Sequence, residues 1–134
     1  MKNFLFILLA ITLSSCDAIS STTDENSTEE CVKTETAYIT NVEGEKETEA
    51  GKSLDLTLSF PVMNGCGQFN QFKESVSGKT ATIAVEAIYE GCICTMDIPT
   101  RTATYHFKAS AAGTYTLRFK SSATAYIVKT ITVK

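Results

Sequence analysis

The sequence predicts an all-β fold, an antiparallel sandwich of six or seven short strands, and three observations carry that prediction. Apolar residues recur with a period of two in one segment after another. Glycine-centred turn signals separate those segments, and no stretch has the 3.6-residue period of an amphipathic helix. The 134 residues suit one domain, and 43% apolar with 20% charged residues describe a globular chain.

Before the sandwich stands an export signal. Met1-Lys2-Asn3 opens the chain with a positive charge, and the apolar run Phe4 to Leu13 follows. Ten residues cannot cross a hydrocarbon layer about 30 Å thick, so the run reads as a secretory signal peptide. It ends in Leu13-Ser14-Ser15-Cys16, which resembles the lipobox of bacterial lipoproteins. The resemblance implies cleavage after residue 15 and acylation of Cys16, whose buried chains contribute about 0.8 kcal/mol per CH₂. It also implies membrane lipid as a partner and a lipid-anchored place in the bacterial cell envelope. Asp17 resembles an inner-membrane retention signal of one lineage and a surface-export signal of another, and the outer membrane is the expectation taken.

Residues 16–33 read as the lipidated cysteine and an acidic Ser/Thr-rich tether, and residues 34–134 as the domain. Asp17 to Glu30 contains a single isoleucine, too little apolar surface to offset chain entropy, so disorder is expected. A coil of that length reaches roughly 20 Å. Residues 17–50 hold ten acids against two lysines, a balance of −8, and residues 51–134 hold five acids against nine bases, +4. With −3 overall there is no basic surplus to recruit nucleic acid.

Within the domain a weak strand is expected over Glu35 to Val42. Strong alternation follows: Leu54, Leu56, Leu58, Phe60 and Val62, with Pro61 near the end where a lost ladder bond matters least. Ala81 to Tyr89, Ala103 to Phe107 and Tyr115 to Phe119 alternate in the same way. The last strand, Ala125 to Val133, changes apolar phase at Lys129, which suggests a bulge. Phe69 and Phe72, three apart, suit a helical turn or an irregular strand equally, and Gly67 to Glu74 is read as a short irregular connecting strand.

The stretch Ala112-Gly113-Thr114-Tyr115-Thr116-Leu117-Arg118-Phe119 resembles the G-x-Y start of strand F in immunoglobulin-like domains. The resemblance implies an Ig-like sandwich whose Tyr115 ring is buried and whose hydroxyl caps backbone at a corner. No tryptophan is present, so the Cys–Trp–Cys pattern of true immunoglobulin domains is missing.

With Cys16 spent on lipid, Cys31, Cys66, Cys92 and Cys94 form an even set in an exported domain and read as two disulfides. Joining Cys92 to Cys94 closes a tiny strained ring. The favoured set pairs Cys66 with one of them and Cys31 with the other. The Cys66 bridge is expected to contribute the larger share of stability. The rival reading is a soft-metal cluster of Cys66, Cys92 and Cys94 with Met63 and Met96. It lacks the CxxC spacing of zinc sites, and His106 is the sole histidine. No metal and no cofactor are expected.

No catalytic residue is assigned. Phosphate loops, nucleophile elbows and paired histidines are missing from the sequence. Glu86, Glu90 and Asp97 read as solvated carboxylates, Arg101 as a partner of Asp97, and His106 as an exposed strand residue. The expectation is a membrane-anchored lipoprotein displaying its stapled sandwich as a non-catalytic binding module for an envelope protein or glycan. The alternatives are a structural subunit of an envelope assembly using a strand edge, or a protease inhibitor presenting loops 63–78 and 90–101.

Overall fold

A computed structural model describes residues 31–134; the signal segment 1–15, Cys16 and residues 17–30 lie outside the described residues. The described chain forms nine strands: β1 Val32–Ala37, β2 Asn41–Glu43, β3 Glu47–Thr48, β4 Ser53–Pro61, β5 Gly67–Ser77, β6 Thr80–Glu90, β7 Thr100–Lys108, β8 Gly113–Lys120 and β9 Tyr126–Val133. They make a six-stranded and a three-stranded sheet that face each other as a sandwich.

Strand β6 is the hub of the larger sheet. β5 pairs along one of its edges. On the other edge β1 pairs with Val85–Glu90 and β8 with Thr80–Ile83, end to end. β9 and then β3 continue outward from β8. The smaller sheet is ordered β2-β4-β7. Two pairings, β6 with β8 and β3 with β9, are parallel, so the larger sheet is mixed. For β6 and β8 the cause is connectivity: β7 crosses to the smaller sheet between them, so the chain returns running the same way as β6.

Alternation builds the core. Leu54, Leu56, Leu58 and Phe60 point inward from β4 while Ser53, Asp55 and Thr57 meet solvent. Ile83 and Val85 of β6, Leu117 and Phe119 of β8 and Ile131 of β9 answer them, each at most 1% exposed. Burial of each such side chain contributes roughly 1.5–3 kcal/mol.

Four expectations need correction. The segment Glu35 to Val42 is two strands in different sheets, because Ile39 donates its amide to Lys120 of the larger sheet and Thr40 donates to Ser59 of the smaller. Val32 and Lys33, grouped with the tether by sequence, pair with Glu90 and Tyr89. The irregular stretch at Gly67 is an eleven-residue strand with a register shift between Phe69 and Gln71. That bulge puts Phe69 opposite Ala87 and Phe72 opposite Val85, so both rings face inward. They continue an aromatic row in which ring centroids lie 4.7 Å apart for Phe69–Phe72 and 5.4 Å for Phe72–Tyr105.

No bulge occurs at Lys129. The β8–β9 register runs unbroken from Gly113↔Val133 to Lys120↔Tyr126. Lys129 keeps the inward phase of Ile127 and Ile131, and its Nζ donates to the Gly44 carbonyl at 2.6 Å. Burial pulls its pKa down.

Candidate functional site

Two crossings between the sheets meet at one end of the sandwich. Residues 62–66 carry the chain from β4 to β5, and residues 91–99 carry it from β6 to β7. They are zipped together. Val62 donates its amide to Pro99 at 3.0 Å, and Gly65 donates to Thr95 at 3.1 Å. Cys66 is bridged to Cys94, and Cys31, where the described chain begins, is bridged to Cys92. Cys92 and Cys94 thus reach separate partners. All four sulfurs are consumed, which leaves no thiolate to bind a soft ion.

Backbone proximity sets the local sequence. A Cβ on Gly67 would lie 2.5 Å from Val62 and 2.7 Å from the Tyr89 ring, so only glycine fits where β5 starts. Gly91 adopts φ +131°, and a Cβ there would press on the Cys66 sulfur. The Asn64 side chain accepts from the Cys66 amide at 3.0 Å, an Asx turn that shapes the first loop. Arg101 does not pair with Asp97: its Nε donates to Gly67 O at 2.9 Å and its Nη2 to Gly65 O at 3.1 Å. The guanidinium ties the start of β7 to the turn that leads into β5.

Between the loops and β1 lies an open cleft of about 410 Å³, within the size range of small-ligand sites. Its walls are the Cys31–Cys92 bridge, Cys94, Asn64, Tyr89, Val32 and Lys33. The Tyr89 hydroxyl accepts from the Met63 amide at 2.9 Å, and Lys33 Nζ lies 5.1 Å from the Tyr89 ring centre. Glu35, 2.9 Å away, raises the Lys33 pKa and holds the ammonium charged.

The rim is apolar. Ile93 is 95% exposed, Met96 94%, Met63 66% and Ile98 65%. Asp97 is the single ionisable side chain in residues 62–66 and 91–99.

Elsewhere several titratable groups form pairs. Glu86, expected to be solvated, is 8% exposed on the outer face of β6. Lys73 ion-pairs with it, and Gln71 and Asn70 donate to it from the bulge at 2.8 and 2.9 Å. These partners, Lys73 foremost, lower its pKa. Tyr105 donates to Glu74 at 2.9 Å, and burial, reinforced by Glu74, pushes its phenol well up. They line a second, smaller hollow of about 210 Å³ at the other end of the sandwich. Exposed His106 meets Asp55 at 2.6 Å, and no hydroxyl or thiol is hydrogen-bonded to the imidazole among the described residues. Tyr115 donates to Ala111 O at 2.8 Å, the corner bond its sequence context implies, although its ring is half-buried against Phe107 rather than fully buried.

Of the residues singled out by sequence, Cys31, Cys66, Cys92 and Cys94 converge at this end, and Cys16 lies outside the described residues. Loop 63–78 is a loop only as far as Cys66, since β5 takes up the rest. Sequence reading missed the roles of Tyr89 and Lys33, gave Arg101 the wrong partner, and named Met63 and Met96 only in the rival soft-metal reading. No clear local signal was available, because Cys94, Met96 and Ile98 alternate with Thr95 and Asp97 as a strand would. Among the described residues no group of three or more His, Cys, Asp or Glu is arranged to hold a metal ion, and no helix is long and apolar enough to cross a membrane.

No curated protein and no solved structure matches the chain at a significant level. Residues 56–133, most of β4 through the end of β9 and more than half of the chain, match the family model of the ORF11 beta-sandwich domain. Two facing sheets and this match lead to one identification: the chain belongs to the ORF11 beta-sandwich domain family.

Proposed function

We propose that the chain is a lipid-anchored protein of the bacterial cell envelope, held through acylated Cys16 in the outer rather than the inner membrane. Its disulfide-stapled sandwich serves as a non-catalytic binding module that works through the paired-loop end. One observation carries the reading: Ile93 and Met96 are more than nine-tenths exposed on loops that two disulfides hold in place. Clustered exposed apolar side chains mark interaction surfaces, and a loop held rigid loses less entropy on binding. In this reading the module is non-catalytic: among the described residues the His106 imidazole meets the Asp55 carboxylate, and Cys31, Cys66, Cys92 and Cys94 are bridged.

Two measurements in cells test it. Labelling with an alkyne fatty acid should mark the chain and not Cys16→Ser; equal label on both removes the anchor. A photo-crosslinking residue at position 93 or 96 should give discrete adducts that the same residue at position 130, on the outer face of β9, does not. Equal background at all three positions, in lipid adducts as well as protein adducts, refutes the loop end as the recognition surface.

The structural-subunit alternative has one observation of its own. β5 and β7 each pair on a single side among the described residues, which leaves ladder groups open to an added strand.

A further inference from the structure

The reading above leaves open what the loop end recognises, and the point where the chain enters the described structure bears on it. Cys31 is the first described residue, and its Cα lies 4.9 Å from that of Cys92, the neighbour of Ile93. The chain from Cys16 therefore joins the sandwich at the apolar loops and not at the far end. Fourteen residues, 17–30, separate the two cysteines and span at most about 50 Å. A surface tied so closely to its partner meets it at an effective concentration in the millimolar range, so a weak affinity is enough.

We infer that this end seats on the bilayer carrying the anchor, with Met63, Ile93, Met96 and Ile98 entering the boundary between head groups and acyl chains. The inference rests on the anchored reading and names the partner of its recognition surface.

Shape favours lipid over a protein partner. Side chains 94–95% exposed are convex tips with almost no neighbours of their own. A folded partner would need a matching pocket for each, whereas fluid acyl chains close around any tip. Branched Ile and flexible Met suit such a boundary, and within the two loops only Asp97 opposes entry. The disulfides make the insertion rigid: Cys66–Cys94 keeps the loops side by side, and Cys31–Cys92 keeps them at the anchor.

The chain contains no tryptophan, so an introduced one is a clean reporter. The acylated chain carrying Ile93→Trp is reconstituted into vesicles of phosphatidylethanolamine and phosphatidylglycerol, with and without acyl-brominated lipid. Val128→Trp, on an exposed residue of the outer face of β9, is the control. Tryptophan at 93 should emit at shorter wavelength and be quenched several-fold more than at 128, and adding Met96→Asp should reverse most of the difference. Equal quenching at the two positions in membrane-attached protein overturns the lipid seat and leaves the anchored binding module standing. If intact mass shows no acyl group, the anchor falls instead, and the Ile93→Trp chain is titrated with the same vesicles at about 10 mM lipid. A blue shift there upholds the seat, and its absence overturns it.

Discussion

Replacing Cys31 and Cys92 together by alanine opens the bridge that spans the longer stretch of chain, 61 residues against 28 for Cys66–Cys94. Taken alone, the chain-entropy relation gives about 4.3 kcal/mol for the first and about 3.6 for the second. The two loops overlap, however, so neither value applies to the doubly bridged protein. With Cys66–Cys94 in place, the path from Cys31 to Cys92 shortens to about 37 residues, and that bridge contributes about 3.8 kcal/mol. With Cys31–Cys92 in place, Cys66 and Cys94 are joined by two parallel paths, and their bridge contributes only about 3.1 kcal/mol. Either order of removal totals about 7.4 kcal/mol, comparable to the whole stability of a small domain. Cys31→Ala/Cys92→Ala should therefore lose more stability than Cys66→Ala/Cys94→Ala, by about 0.7 kcal/mol. This reverses the ranking expected from sequence, which gave the larger share to Cys66 on the ground that it clamps two loops. Urea unfolding followed by far-ultraviolet circular dichroism, extrapolated to water, measures both losses. A loss at Cys66–Cys94 that exceeds the other by 1 kcal/mol or more would refute the entropic reasoning and assign the difference to packing of the loop end.

Further perturbations test single contacts. Tyr115→Phe removes the bond to Ala111, whose surroundings are exposed, and should cost about 0.5 kcal/mol, the low end for one hydrogen bond; an unchanged urea midpoint would show that the corner bond contributes nothing. Gly67→Ala forces a methyl onto Val62 and Tyr89 and should cost about 1–3 kcal/mol, read by the same unfolding curves. Glu86 titrates below its ordinary 4.5 in the folded state, so its contribution is present above that value and lost as pH falls through the folded pKa. Stability curves between pH 7 and pH 3 should accordingly be flatter for Glu86→Gln than for the natural chain; equal slopes would mean that Lys73, Gln71 and Asn70 do not hold the carboxylate ionised.

The parts of the fold legible in sequence are those where one strand buries one face. β4, β6, β7 and β8 each have a solvent face, so alternation shows directly in Leu54 to Phe60 or Ala81 to Tyr89. What escaped depends on tertiary partners. The break at Tyr38 is set by two hydrogen bonds to different sheets, and nothing local to Ile39 and Thr40 encodes it. Phe69 and Phe72 share a face only because an unpaired residue intervenes, and the same bulge turns Asn70 and Gln71 toward Glu86. At Lys129 a long side chain holds an inward position by carrying its amine out to Gly44, which mimics a phase change in an unbroken strand. The site was half legible. Spacing pointed to the separate partners of Cys92 and Cys94, whereas the exposure of Ile93, Met96 and Ile98 within the expected loop depends on tertiary packing.

The two bridges, nearly equal in chain entropy, do different mechanical work. Cys66–Cys94 ties one crossing loop to the other, and the amide bonds from Val62 and Gly65 repeat that tie along its length. Loss of this bridge leaves the loops partly zipped. The chain leading back to Cys16 is held at the loops by Cys31–Cys92, backed by the Gly91 amide bond to Cys31 and the β1–β6 ladder. If the loop end seats on lipid, that second tie sets the orientation of the domain. β5 and β6, eleven residues each, rise about 35 Å from the loops to the turn at Gly78. The hollow beside Tyr105 and Tyr115 then faces away from the bilayer. Cutting Cys31–Cys92 leaves the point of attachment held only by the Gly91 bond and the β1–β6 ladder and should loosen this orientation, while cutting Cys66–Cys94 should blunt insertion and leave the attachment where it is. A stability measurement alone does not separate these effects; the quenching of a tryptophan at residue 93 in each double variant does.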